Sequence, residues 1–304
     1  MIKQKHFIDV DQLSLKQIEQ IFSKADKYLK KPLNSSLKGK RLINLFFENS
    51  TRTRSSFEIA AKNSGAEVVN IDVSTSALKK GESEKDTILT LNAMEPDFIT
   101  IRHSFGGIVK KLAEYSDRAV VVNSGDGAHA HPTQALLDAF TIYKAYKFKK
   151  ITEFKKLTVA ICGDVLNSRV ARSNIRLLTM LGAKIHLIGP PTLLPKNMDS
   201  ANLKIFYDLK EGVKGVNVIM ALRIQKERMM SCFIPSISDY FKVYGITRDV
   251  LDLAKSNCIL LHPGPMNRNV EIESSLAEDP KVSQVLKQVR HGVAIRQAVL
   301  ELLA

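Results

Sequence analysis

Apolar positions first fall into register just after Ser14. Ile18, Ile21, Phe22, Ala25 and Leu29 recur at three- and four-residue steps and predict one buried helix face. Ser14-Leu15-Lys16-Gln17 at its start fits a capping box, with Ser14 as cap and Gln17 reaching back. Past the basic turn Lys38-Gly39-Lys40-Arg41 the period changes. Leu42-Ile43-Asn44-Leu45-Phe46-Phe47 reads as a strand, and a helix follows from Thr51 to Asn63. Ala66 to Val73, Phe98 to Arg102 and Ala119 to Asn123 read as further strands, and Pro132 to Tyr146 as a long helix. A lysine cluster from Lys147 to Lys156 interrupts the series. It resumes with a strand from Leu157 to Cys162, a helix from Ser168 to Leu181 and a strand from Lys184 to Ile188, continued by Val216 to Leu222 and Cys258 to Leu261. Val282, Leu286, Val289 and Val293, at alternating four- and three-residue steps, predict the apolar face of a final helix.

Strands alternating with helices predict an α/β fold with mainly parallel sheets flanked by helices. A length of 304 residues suggests two such domains, with the lysine cluster as the junction. At 44% hydrophobic and 25% charged residues the chain can bury a core. No apolar run approaches the ~18 residues of a membrane-spanning helix. The N-terminus, Met1 to His6, has no signal-peptide pattern. The expectation is a cytoplasmic protein with no membrane partner. Cys162, Cys232 and Cys258 are far apart and show no zinc spacing, which predicts reduced thiols and no metal.

A net charge of +14 raises the question of a nucleic-acid partner. The lysines are spread along the chain, there is no Trp, and no zinc-finger or RNA-recognition signature occurs. A lysine-rich surface with a site for anionic substrates accounts for the same charge, so no nucleic acid is expected.

The chemistry gathers where strands hand over to helices. Glu48-Asn49-Ser50-Thr51-Arg52-Thr53-Arg54 follows the first strand and opens a helix. Unpaired N–H groups at a helix start suit phosphate, the hydroxyls of Ser50, Thr51 and Thr53 add donors, and Arg52 adds a planar cation. This is not a Walker loop, since Gly-x-x-x-x-Gly-Lys-Ser/Thr is absent. The plainer alternative is that Ser50 only caps the helix, and on these residues alone the two readings stand level. Ile101-Arg102-His103 ends another strand, and Asn123-Ser124-Gly125-Asp126-Gly127 leads into His129-Ala130-His131-Pro132-Thr133-Gln134. In a parallel sheet these loops share one edge, so Arg102, His131 and Gln134 are candidates for the same bound anion. The alternatives are a metal pair at His129 and His131, for which no third ligand is evident, and a capping role for His131.

The stretch from Phe47 to Glu58 resembles the carbamoyl-phosphate signature of the aspartate and ornithine carbamoyltransferases. His131-Pro132-Thr133-Gln134 resembles that family's second signature, and the likeness spans almost the whole chain. It implies a carbamoyl-phosphate domain of residues 1–135 completed by a C-terminal helix 285–304, and an aspartate domain of residues 136–284. It implies that Ser50, Thr51, Arg52, Thr53 and Arg102 cradle the phosphate and that Thr53, Arg102 and His131 polarise the carbonyl. Gln134, with main-chain groups at Gly264 and Pro265 in His262-Pro263-Gly264-Pro265, would hold the carbamoyl amino group. Ser76 and Lys80 resemble a loop that family members insert into a neighbour's site. The implied assembly is a homotrimer with shared active sites, and association with regulatory chains or a dihydroorotase stays open.

Arg169, Arg223 and Gln225 resemble the ligands of the aspartate carboxylates. Two arginines plus Lys80 match a dicarboxylate by charge and repel a cationic ornithine. Pro263 stands where the ornithine enzymes carry Cys. The resemblance therefore implies an enzyme that transfers the carbamoyl group of carbamoyl phosphate to the α-amine of L-aspartate, the committed step of pyrimidine (UMP) synthesis, with no cofactor. Ser104, Asn167 and Gly264 depart from common family residues, and none of them is a proposed side-chain ligand of an anion.

Overall fold

The computed structural model describes residues 6–73, 81–196, 198, 200–224 and 236–304. They fall into two units, Met1–Phe140 with Val289–Ala304, and Thr141–Gln288. Each is a parallel sheet flanked by helices, so the fold is α/β.

The first unit opens with α1 (Leu15–Lys30). The Ser14 hydroxyl accepts the Gln17 N–H and Gln17 Oε1 accepts the Ser14 N–H, so the capping box forms as read. Ile18, Ile21, Phe22 and Ala25 are buried. The sheet comprises β1 (Arg41–Phe46), β2 (Glu67–Asp72), β3 (Phe98–His103) and β4 (Val120–Asp126), in the order β2-β1-β3-β4. Every β1 residue after Arg41 is buried, as a parallel strand covered on both faces requires. Asn44, at its middle, is 0% exposed and survives there through partners in register. It donates to Asn70 Oδ1 at 2.8 Å on one neighbour and accepts from Thr100 Oγ1 at 2.5 Å on the other. The strands are joined through α2 (Thr51–Asn63), α3 (Glu84–Ala93) and α4 (Ile108–Ala113), and α5 (Pro132–Ala145) follows β4. Phe57, Ala60 and Ala61 are the buried apolar residues of α2, which packs on β1 and β2.

The second unit holds β5 (Thr158–Cys162), α6 (Arg169–Met180), β6 (Lys184–Ile188), β7 (Leu203–Phe206), α7 (Leu209–Val213), β8 (Val218–Ala221), α8 (Ile237–Tyr244), α9 (Arg248–Leu251), β9 (Ile259–Leu261) and α10 (Ser274–Glu278). Its sheet runs β7-β6-β5-β8-β9, all parallel. Cys162 and Cys258 are free and buried in this core. Burial pushes the Cys162 thiol well up, with a further push from Cys258, and takes Cys258 to about 12. Neither is a ready thiolate. Cys232 lies outside the described residues.

Two expectations shift. The chain divides between Phe140 and Thr141, inside α5, while Ile151 and Phe154 of the lysine cluster are buried in a 3-10 turn of the second unit. The last helix, α11 (Val285–Leu303), exists, but its predicted apolar face is wrong. Val282 precedes it, Leu286 and Val289 are 84% and 47% exposed, and of the predicted positions within the helix Val293 alone is half-buried. The buried positions instead include Gln288, His291, Ala294, Ile295, Ala298, Val299 and Leu300, with Arg296 and Gln297 among them. Polar side chains that find partners inside the protein hid this face from a hydrophobic pattern.

Candidate active site

At the C-terminal edge of the first sheet, the chain leaves β1 and enters α2 through Ser50. Ser50 is the N-cap, yet its side chain makes no capping hydrogen bond. The first bond of the helix runs from the Arg54 N–H to the Ser50 carbonyl at 3.1 Å, so the amides of Thr51, Arg52 and Thr53 precede the ladder. The capping-only reading of Ser50 therefore loses its hydrogen bond, and its hydroxyl and three helix-start amides form an anion-ready turn. Thr53 is buried at 6% exposure, while Thr51 and Arg52 face outward.

Arg102 comes from the neighbouring strand. The β1–β3 register pairs Phe46 with Arg102, and the Phe47 N–H donates to the Arg102 carbonyl at 2.9 Å, so Arg102 stands beside the exit of β1. It is 9% exposed, with Nε 3.4 Å from Glu48 Oε2 and Nη1 donating to the Ser124 carbonyl at 3.3 Å. Glu48 was not singled out in the sequence, and no local pattern marks it as the partner of Arg102.

The next loop is built by close backbone approach. β4 runs on past the predicted Asn123 to Asp126, after a register shift between Ile101 and His103. The Asp126 carboxylate accepts the N–H groups of Gly107 at 3.0 Å and Val109 at 3.4 Å, fixing the start of α4. Gly127 has φ +52°, and a Cβ there would stand 2.3 Å from the Gly106 nitrogen, so only glycine fits. The chain then reaches His131, 4% exposed, whose carbonyl accepts the Gln134 N–H at 3.0 Å. His129 lies apart from this, with Nε2 3.9 Å from Asp9 Oδ2. Among the described residues no cluster of three or more His, Cys, Asp or Glu could hold a metal ion.

The second sheet carries its own set at the same kind of edge. Arg169 is the first residue of α6 after β5 and is 8% exposed; Ser168 caps that helix by accepting the Ala171 N–H at 3.1 Å. Asn167 donates from its backbone and its amide to the buried Asp164 carboxylate at 3.1 and 3.0 Å, which shapes the approach to Arg169. Arg223 follows β8, and the Leu222 N–H before it donates to the Cys162 carbonyl at 2.8 Å. Gly264 and Pro265 follow β9 and are joined by a cis peptide. The Gly264 N–H donates to His262 Nδ1 at 2.8 Å. Glu271, also absent from the sequence reading, accepts the Ile224 N–H at 2.9 Å and the Asn267 N–H at 2.9 Å. Burial raises its carboxyl, against those hydrogen bonds. Ser76, Lys80 and Gln225 lie outside the described residues.

These features describe two parallel-sheet units, each with cationic or anion-ready groups at the C-terminal edge, the place where α/β enzymes bind ligands. Comparison with known proteins gives the class. Residues 5–144 match the family model described as the aspartate/ornithine carbamoyltransferase carbamoyl-P binding domain, and residues 155–303 match its Asp/Orn binding domain. Similar proteins include the aspartate carbamoyltransferase catalytic subunit of Rhodospirillum rubrum, 47% identical over 99% of this chain and 94% of that one. The catalytic subunit of Methylorubrum populi is 50% identical over 99% of this chain and 95% of its own. Among solved structures, aspartate transcarbamoylase from Trypanosoma cruzi in complex with carbamoyl phosphate and aspartate superposes with a TM-score of 0.87 at 28% identity, covering 99% of this chain and 97% of that one. This is a carbamoyl-transferring enzyme. The chain belongs to the aspartate/ornithine carbamoyltransferase family.

Proposed function

We propose that the chain transfers the carbamoyl group of carbamoyl phosphate to the α-amine of L-aspartate, giving N-carbamoyl-L-aspartate and phosphate, as the committed step of pyrimidine synthesis. The observation that carries the donor half is the unspent Ser50 hydroxyl over three ladder-free amides, with Arg102 in register beside it. Phosphate rests on Ser50, Thr51, Arg52 and Thr53. The amine attacks the carbonyl carbon, and negative charge grows on the carbonyl oxygen. Thr53, Arg102 and His131 donate to it, positioned donors of this kind each contributing about 3–4 kcal/mol to the transition state. Gln134 accepts from the carbamoyl amino group, with main-chain groups at Gly264 and Pro265 assisting. The C–O bond to phosphate breaks, phosphate leaves with its charge balanced by Arg52, Arg102 and the helix start, and the leaving phosphate takes the amine proton.

Arg169 and Arg223 supply the acceptor half, because forked cations pair best with carboxylates and repel an ornithine side chain. The first unit thus takes the role of the carbamoyl-phosphate domain and the second that of the aspartate domain. Ser76, Lys80 and Gln225 complete the sites, the first two from a neighbouring copy in a homotrimer, and the enzyme works in the cytoplasm. No described helix is long and apolar enough to cross a membrane. Phosphate release with aspartate against ornithine as acceptor tests the reaction. Mixing Arg52→Ala chains with Lys80→Ala chains tests the shared site: hybrid trimers regain activity, and no recovery contradicts it.

A further inference from the structure

The proposed role of Gln134 requires its amide to be turned one way. A carbamoyl NH2 is a donor, so Gln134 must offer its carbonyl oxygen and send its own NH2 elsewhere. Gln134 Nε2 donates to Asp138 Oδ1 at 2.9 Å, one turn further along α5, with Gln134 8% and Asp138 0% exposed. A carboxylate accepts and cannot donate. Turning the amide over would set its carbonyl oxygen against the carboxylate, so Asp138 admits one orientation only.

Arg296 of α11 is also buried, at 4% exposure; burial brings its guanidinium down to about 10, and the charge of Asp138 works in the opposite direction. The guanidinium carbon lies 5.2 Å from the centroid of Phe57, a buried ring of α2. Space for it is built into α11: a Cβ on Gly292, one turn earlier, would stand 2.6 Å from Arg296 Nη1. α11 thereby places a buried cation against α2, whose first turn carries the anion-ready amides.

We propose that Asp138 is a positioning residue that locks the Gln134 amide oxygen toward the substrate amino group and so selects a carbamoyl over an acetyl phosphate. This rests on the carbamoyl-phosphate reading of Gln134. Acetyl phosphate is the probe, because a methyl replaces the NH2 that the oxygen reads.

The experiment compares kcat/KM for carbamoyl and acetyl phosphate, with aspartate as acceptor, in the full-length protein and in variants shown to be folded by thermal melting. Asp138→Asn lets the amide turn over. Its carbamoyl-phosphate kcat/KM should fall on the order of 10- to 100-fold, while the acetyl-phosphate value stays within about threefold. Equal losses on both substrates, or no loss on either, overturn the proposal, since a merely structural role would not move the ratio. Gln134→Leu separates the two levels. If it leaves the ratio intact, the reading of Gln134 fails and the lock falls with it; if it narrows the ratio while Asp138→Asn does not, only the lock fails.

Discussion

Glu271 Oε1 accepts the backbone N–H of Ile224 at 2.9 Å, across 47 residues of sequence. The same carboxylate accepts the Asn267 N–H and Asn267 Nδ2, and Asn267 Nδ2 also donates to the Ile224 carbonyl at 3.3 Å. One buried acid therefore ties the segment after β8, which carries Arg223, to the segment after β9, which carries Gly264 and Pro265.

Glu271→Ala is expected to leave buried N–H donors unsatisfied, each costing about 1–3 kcal/mol. Because Arg223 is next to the released Ile224, the KM for aspartate should rise at least on the order of tenfold, with a smaller change in carbamoyl-phosphate affinity. Steady-state kinetics with each substrate varied checks this. Parallel loss on both substrates would reduce Glu271 to a stability role.

Arg52 is exposed at the first turn of α2 and adds charge beside amides that precede the helix ladder. Arg52→Ala should lower carbamoyl-phosphate affinity by about 2–3 kcal/mol, a loss of 30-fold or more in titration calorimetry, with little change in melting temperature. Near-normal affinity would show that the turn does not hold the phosphate.

Glu301 of α11 joins α1 and the chain after it. It accepts from Lys24 Nζ at 2.8 Å, Asn34 Nδ2 at 3.1 Å, Ser36 Oγ at 2.5 Å and the Tyr28 hydroxyl. Burial pushes its carboxyl up, but the bonds from Lys24, Ser36 and Tyr28 outweigh this and hold it below the ordinary carboxylate range. A depressed folded-state pKa stabilises above the unfolded-state value, and that stability is lost as pH falls through the folded-state value. Glu301→Gln should therefore cost about 1–3 kcal/mol near neutral pH. The gap from the unsubstituted chain should close in acid. Urea unfolding at both conditions measures it, and a pH-independent gap would contradict the charge-based account.

Much of this architecture is legible in the sequence because local rules and burial agree. Ser14 and Gln17 announce α1, and the predicted Thr51–Asn63 helix has the bounds of α2. The candidate edge is legible for the same reason: the turns carrying Ser50, His131, Arg169 and Arg223 follow apolar runs read as strands, and Arg102 lies near the end of one. What escapes is non-local. The apolar positions Val282, Leu286 and Val289 suggest the wrong face for α11, because the true face is filled partly by Arg296 and Gln297. The edge strand β7 is four residues long and only its first residue is buried, too little for a period-two signal. Asp138 has a local signature, four residues after Gln134 on one helix, that a reading for i,i+4 partners would find. Arg296 and Glu271 have none, since their partners are set by packing alone.

The second sheet edge is expected to select a dicarboxylate amine. The most direct measurement is phosphate release from carbamoyl phosphate by the purified protein, with L-aspartate or L-ornithine as acceptor. Aspartate should exceed ornithine in kcat/KM by at least on the order of 1,000-fold, because an ornithine side chain brings a like charge to the arginines where aspartate brings a carboxylate. Ornithine performing as well as aspartate, or better, would contradict the account.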